Sequence, residues 1–532
     1  MLAISGALEC VHIWTLQEFW YAVAILIAAF IVYRILYAFY YSPLRNIPGP
    51  LVDRLTKRKL EFDTLCARMP DYGIAGMHKY GDIFVCQPQA VCISDPADIR
   101  VVLSSSSFLK SPYYKILQFT GLDSTICTRD PHMVSVKRRM FGPYFSTSYL
   151  NKLEPVVLEY GAKAIIDRWD TMLQSNPAGE VTVNYCVTFS LCTFNIVSRL
   201  VYGQDIAALD PRNPETSLKW MSDSTTYISL RALLKLLPMW TFKLVTWPWE
   251  HMFDQIAGYV QQSIDTRKKL LQSLKPSEKR PVDLLQALLD SQDPQSQAHL
   301  SDEQIHAESL LLLIGGIDPT AFTLTWTLHL FMLYPECYQK AVNEVRTQFP
   351  HCTTTSGIIT FAMAKAKLPY LEACIYESLR LAPVPQMMIP RVVPEQGTFI
   401  KGHYLPPGTT IFSNVPGSQS SPKHWPDPHR YNPERFMDPQ TKRKAIHSVF
   451  TFGYGNRTCM GKHLAWLDMV TILANLLCRF DFKIPAGYTQ TGPNIIDKKT
   501  KCPKLMDKSK FISAKPANQD DCWVVVSKAS QV

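Results

Sequence analysis

Cys459 stands in the run Phe452-Gly453-Tyr454-Gly455-Asn456-Arg457-Thr458-Cys459-Met460-Gly461, with Arg457 two residues before it and an amphipathic stretch, Lys462 to Phe480, after it. The stretch has helical periodicity, so the cysteine falls at a helix N-terminus, where backbone N–H groups and neighbouring cations favour negative charge. With Arg457 and Lys462 nearby, the thiol pKa is expected to fall and the sulfur to serve as a thiolate ligand. Three rival chemistries fail on spacing. A phosphate-cradling loop needs four residues between glycine and Gly-Lys, then Ser or Thr; five separate Gly455 from Gly461, and His463 follows Lys462. A dinucleotide-binding loop needs glycine where Thr458 stands. A zinc site built on Cys459 and His463 lacks a second ligand pair, since no Cys-x-x-Cys occurs.

Further groups that could do chemistry are spread along the chain. Gly315-Gly316-Ile317-Asp318-Pro319-Thr320 places an acid and an alcohol inside an apolar run, Ser301 to Leu333. Ser301, Asp302 and Glu303 would cap that run as a long buried helix. Glu377-Ser378-Leu379-Arg380 puts a carboxylate and a guanidinium three residues apart, on one helix face. Pro433-Glu434-Arg435-Phe436 comes later in the chain, and Pro390-Arg391 precedes a strand and hairpin, Gly402 to Thr410. Asp130 to Ser146 carries three consecutive cations, Lys137, Arg138 and Arg139. A solvated basic face is the expectation for Lys137 and Arg139.

The cysteine run fills every fixed position of F-x-x-G-x-R-x-C-x-G and resembles the haem-binding signature of the cytochrome P450 family. The other motifs stand in that family's order. The resemblance implies a mainly α fold with a small β-sheet region, preceded by a transmembrane helix, and haem b bound with Cys459 as proximal ligand. Arg138, Arg391 and Arg457 would neutralise the haem propionates, and Asp318 with Thr320 would serve proton delivery during oxygen activation. Glu377, Arg380 and Arg435 would form a structural ion cluster, and Ile314, Val384, Met387 and Met388 would line the substrate pocket, with Gln386 and Ile389 beside them. Two positions depart from the pattern. Val134 replaces an aromatic residue beside a propionate, and Pro319 stands where the family carries its first alcohol.

The activity implied is insertion of an oxygen atom from O2 into an apolar small molecule, in the manner of filamentous-fungal enzymes of terpenoid, alkaloid or polyketide metabolism. The alternatives are a peroxide-using or rearranging enzyme, or a haem protein that binds ligand without turnover. No flavin or nicotinamide module is recognisable, so NADPH would act through a separate cytochrome P450 reductase, docking on Lys137, Arg139 and Lys462.

These residues need a large scaffold. The chain has 532 residues, 47% apolar and 19% charged, which suits a globular domain with a substantial core. Fourteen cysteines are scattered without framework spacing, so reduced thiols are expected. A net charge of +10 suits anionic lipid or an acidic partner; without a basic tract it gives no reason to expect nucleic acid. Residues 1–18 read as a tail, 19–41 as a transmembrane anchor, 42–50 as a proline-rich hinge and 51–532 as the haem domain. Glu9 and Glu18 before the apolar run and Arg45 after it place the domain in the cytosol, and the family resemblance implies the endoplasmic reticulum membrane. Leu233 to Trp249, with three tryptophans and two prolines, reads equally as core or as a loop dipping into the membrane interface.

Overall fold

The computed structural model describes residues 16–66, 68–118, 121–209, 239–353, 357–384, 386–487, 491–508 and 514–529. Leu16–Leu36 is helical and runs on through a turn of π-helix, Tyr37–Tyr41. Its apolar part, Phe19–Tyr41, is almost wholly exposed and long enough to cross a membrane. Arginines tie this helix and the segment after it to the rest of the chain. Arg34 donates to the Leu55 carbonyl, and Arg54 reaches back to the carbonyls of Leu44, Arg45 and Ile47. Pro48 then accepts the Val85 N–H at 2.8 Å, which fastens the proline segment to the sheet.

Most of the domain is helical, because long apolar stretches at helical spacing outnumber the short alternating ones. The strands are β1 (Ile83–Gln87), β2 (Ala90–Ile93), β3 (Leu109–Lys110), β4 (Glu180–Asn184), β5 (Met388–Val392), β6 (Thr398–Ile400), β7 (His403–Leu405), β8 (Thr410–Asn414), β9 (Phe480–Lys483) and β10 (Trp523–Lys528). They form a five-stranded sheet in the order β1-β2-β8-β5-β3, a three-stranded sheet β4-β10-β9, and the hairpin β6-β7.

Asp302–Leu333 runs through the centre of the helical part, packed against Tyr185–Tyr202, Pro369–Leu381, Lys462–Arg479 and Met239–Ser273. Ser301 starts it with a reciprocal cap, its hydroxyl accepting the Gln304 N–H while Gln304 Oε1 accepts the Ser301 N–H. Pro319 lies inside it and has no N–H to give the Gly315 carbonyl, yet the helix continues because its flanks are packed on several sides. Of the apolar stretch 233–249, residues 233–238 lie outside the described part. From Met239 the chain is helix, not loop, and passes through Pro248 with Trp247 exposed.

One core acid stands apart. Asp468, on Lys462–Arg479, is buried, and its Oδ1 has no hydrogen-bond partner among the described residues. Burial pushes its carboxyl well above the usual range. A carboxyl raised in the folded state contributes stability that is full below its unfolded pKa and lost as pH rises through the folded value. Asp468→Asn is therefore expected to gain stability relative to the native chain as pH rises from about 4 to 8, by on the order of 1–3 kcal/mol. Thermal unfolding of both proteins across that range checks it; a constant gap would show that Asp468 does not titrate differently on folding.

Candidate active site

The cysteine loop owes its shape to local geometry. Gly453 and Gly455 take φ of +69° and +68°, and a Cβ at Gly455 would lie 2.3 Å from Ser104 Cα, so no other residue fits there. The turn closes where the Cys459 N–H donates to the Phe452 carbonyl at 2.8 Å, and the helix Lys462–Arg479 starts immediately beyond. The Cys459 side chain is accessible although protein surrounds it. Burial raises its pKa; the backbone N–H groups of Gly461 and Lys462 and the charges of Arg138 and Lys462 pull the other way without prevailing. This corrects the expectation of a depressed thiol. Desolvation outweighs the helix terminus, and Arg457, assigned to the sulfur from sequence proximity, is not among the main contributors to that balance.

Arg457 turns instead into a group of cations. Lys110 and Arg391 are direct cross-strand partners of β3 and β5, where like charges repel. Burial and the charges of Arg457, Arg391 and Arg138 lower the Lys110 pKa to about 7. Burial, Arg391 and Arg138 likewise lower that of Arg457 to about 10. The hydrogen bonds these four make go to neutral groups. Arg391 donates to the Tyr114 hydroxyl (3.1 Å), Arg457 to the Thr128 carbonyl (3.4 Å), Arg138 to the Thr458 carbonyl, and Lys110 to the carbonyls of Thr125 and Ile126. The Arg138 Nε is buried with no partner among the described residues. Four desolvated cations beside an accessible cysteine form a cradle for a dianionic group, and the two carboxylates of haem fit its charge. Lys110 carries no motif that would have singled it out; only the strand register brings it here.

Three neighbouring cations separate in space. Lys137 is buried and pairs with Glu308 at 2.8 Å, while Arg139 pairs with Asp293 through a two-pronged contact of 2.8 and 3.1 Å. The solvated basic face expected for Lys137 is therefore corrected, and Lys137 is unavailable to a docking partner, whereas Arg139 stays at the surface in its pair with Asp293. Lys462 instead borders a surface pocket with Lys365, His463, Glu372, Tyr376 and Trp466, close enough to Cys459 to act on it.

Glu377 and Arg380 are fully buried and joined by two hydrogen bonds of 2.7 and 2.8 Å, and Arg435 Nε reaches Glu377 at 3.2 Å. On the central helix Thr320 is buried, whereas Ile314, Asp318 and Pro319 are half-buried and Gly315 is exposed in mid-helix. Asp318 acts on the buried Cys186 thiol of Tyr185–Tyr202. Ile314 packs with Leu117, Cys127 and Tyr114. Val384 belongs to the main core, and Met387 is half-buried. Met388 belongs to a separate cluster with Leu60, Phe84, Cys86 and Phe412, its sulfur 3.4 Å from that of Cys92. Strand alternation sets Met388 on the opposite face from Arg391, so the pocket-lining expectation for Met388 gives way to a core position behind the sheet. Gln386 is buried and its Oε1 lacks a partner among the described residues.

The family model for cytochrome P450 matches residues 74–507. Cytochrome P450 monooxygenase helB1 of Aspergillus fumigatus is 36% identical over 95% of this chain and 85% of its own length. The same organism's cytochrome P450 monooxygenase helB2 is 36% identical over 93% and 96%. Cytochrome P450 monooxygenase tpeC of Talaromyces stipitatus is 28% identical over 86% and 88%.

Proposed function

The chain belongs to the cytochrome P450 family, and from that premise we propose a membrane-anchored haem-thiolate monooxygenase that oxidises an apolar small molecule of fungal secondary metabolism. The observation that carries the site assignment is the cradle of Arg138, Arg391, Arg457 and Lys110 beside the accessible Cys459. Cys459 would hold the haem iron and the four cations its propionates. Bound in that way, haem supplies the cleavage of dioxygen and the oxidation of unactivated C–H bonds, with electrons from NADPH through a separate reductase. Lys365, Lys462 and His463 around the surface pocket on the cysteine side suit that reductase's acidic surface. The exposed apolar helix Phe19–Tyr41 supports a single-pass anchor, the flanking charges support a cytosolic domain, and membership of the family is the support for the endoplasmic reticulum.

Proton handling falls to the proline break. Pro319 has no N–H to give the Gly315 carbonyl, and the Thr323 hydroxyl donates to the Pro319 carbonyl at 2.7 Å. Thr320 Oγ1 is the nearest alcohol in sequence to replace the one that Pro319 lacks, and Asp318 would share the task. Thr320→Ala is expected to lower the fraction of NADPH consumption that ends in product several-fold while leaving ligand binding intact. Unchanged coupling would count against Thr320, whereas product formed from an external peroxide without NADPH would favour the peroxide-using alternative. The general test is reconstitution with a cytochrome P450 reductase. NADPH oxidation accelerated by an apolar compound, with a product heavier by one oxygen atom, is the expected result; saturable binding without NADPH use would leave a ligand-binding protein.

A further inference from the structure

Segment 123–129 joins the cation cradle to the central helix, and charged side chains from three elements hold its backbone. Glu308, on Asp302–Leu333, accepts the Thr125 N–H at 2.9 Å and the Lys137 ammonium at 2.8 Å through the same oxygen. Lys137, on Pro131–Phe141, also donates to the Asp123 carbonyl. Lys110 donates to the carbonyls of Thr125 (3.2 Å) and Ile126 (2.7 Å). Lys137 and Glu308 are 2% and 4% exposed, so the pair is desolvated and geometrically demanding. Surface ion pairs have no such cost, and a pair buried here adds little stability by itself. What it does have is a backbone N–H and a backbone carbonyl of one loop in its grip.

That loop backs an apolar wall whose partly exposed members are Ile314 and Tyr114, with Leu117 and Cys127 buried behind them. Within it the Cys127 and Thr128 N–H groups both donate to the Ser124 carbonyl, which fixes the direction of the Cys127 side chain. Cys127 packs with Leu117, Tyr114 and Ile314, and Tyr114 in turn accepts from Arg391 of the cradle. The wall therefore spans from the cation cradle to the helix that carries Asp318 and Thr320. A shift at Glu308 passes to it through Thr125, two residues from Cys127.

We propose that the buried Lys137–Glu308 pair is a positioning device that sets the wall formed by Leu117, Cys127 and Ile314, and through it the size of ligand accepted above Cys459. This rests on the haem-thiolate reading of the site. The pair touches no substrate; it acts through the 123–129 backbone. The test compares two iron-ligating probes by optical titration of the holoprotein, imidazole, which is too small to meet the wall, and 4-phenylimidazole, which reaches it. In the double variant Lys137→Met/Glu308→Leu no buried charge is left unpaired, while both backbone tethers are lost. The expected result is a reduced carbon monoxide spectrum like that of the native protein, an unchanged imidazole Kd, and a 4-phenylimidazole Kd shifted roughly tenfold, the scale on which an apolar pocket discriminates. Equal ratios of the two Kd values in variant and native protein would overturn the proposal. Should the double variant take up no haem, Glu308→Ala gives the same comparison by removing the acceptor of the Thr125 N–H while Lys137 keeps the Asp123 carbonyl, and an unchanged ratio there overturns it equally. If the native protein shows no spectral response even to imidazole, it is the haem-thiolate reading that fails.

Discussion

Replacing Cys459 by alanine is expected to abolish the strongly red-shifted Soret band of the reduced, carbon monoxide-treated protein, and all NADPH-dependent oxygen insertion with it. The expectation comes from the geometry of one loop. The left-handed Gly453 and Gly455 place the chain so that the Cys459 N–H closes on the Phe452 carbonyl, and the N–H groups of Gly461 and Lys462 then point at the sulfur. Cys459→His keeps a ligand of similar reach and is expected to move the band to the position of histidine-ligated haem. A red-shifted band that survives in Cys459→Ala would remove the central assignment.

Glu377→Ala is expected to cost about 3–5 kcal/mol, the scale for removing one partner of a buried ion pair. That is a large part of the roughly 5–15 kcal/mol that holds a folded protein together. The loss is high because Glu377 serves three donors at once. Arg380 binds both its oxygens, Arg435 reaches Oε1, and the Asn432 N–H donates to Oε1 at 3.0 Å. Arg380 also holds the carbonyls of Gln419, Pro428 and Arg430. Gln419 accepts the Phe450 N–H at 2.8 Å, and Thr451 donates to the Leu379 carbonyl at 3.0 Å, so the network ends at the entry to the cysteine loop. Haem retention should therefore fall with stability. Chemical unfolding and haem release, measured together, check this; an alanine variant within about 1 kcal/mol of the native protein would show that the cluster does not hold the loop.

The local features were legible because local rules decide them. Glu377 and Arg380 are three residues apart on a helix and must face the same way. Ser301 starts a buried helix and caps it, with Gln304 completing the pair. The burial of Lys137 was not legible, because successive helix residues point about 100° apart and the surroundings of each are set by distant elements. Lys137 meets Glu308, Arg138 lies by the cysteine loop, and Arg139 meets Asp293. Three residues alike in sequence thus acquire three surroundings. Met388 was misread for a similar reason, since strand alternation alone separates it from the face of Arg391.

By itself the sequence determined the family, the apolar anchor, the glycine-cysteine loop and the order of the elements, because each depends on residue type and short spacing. Tertiary structure decided the rest. It set Lys110 opposite Arg391 by strand register, raised the Cys459 thiol by desolvation that no neighbouring residue announces, and buried Lys137 against an acid 171 positions away. Burial and long-range pairing depend on which surfaces meet when the chain closes, and that information is distributed over the whole fold.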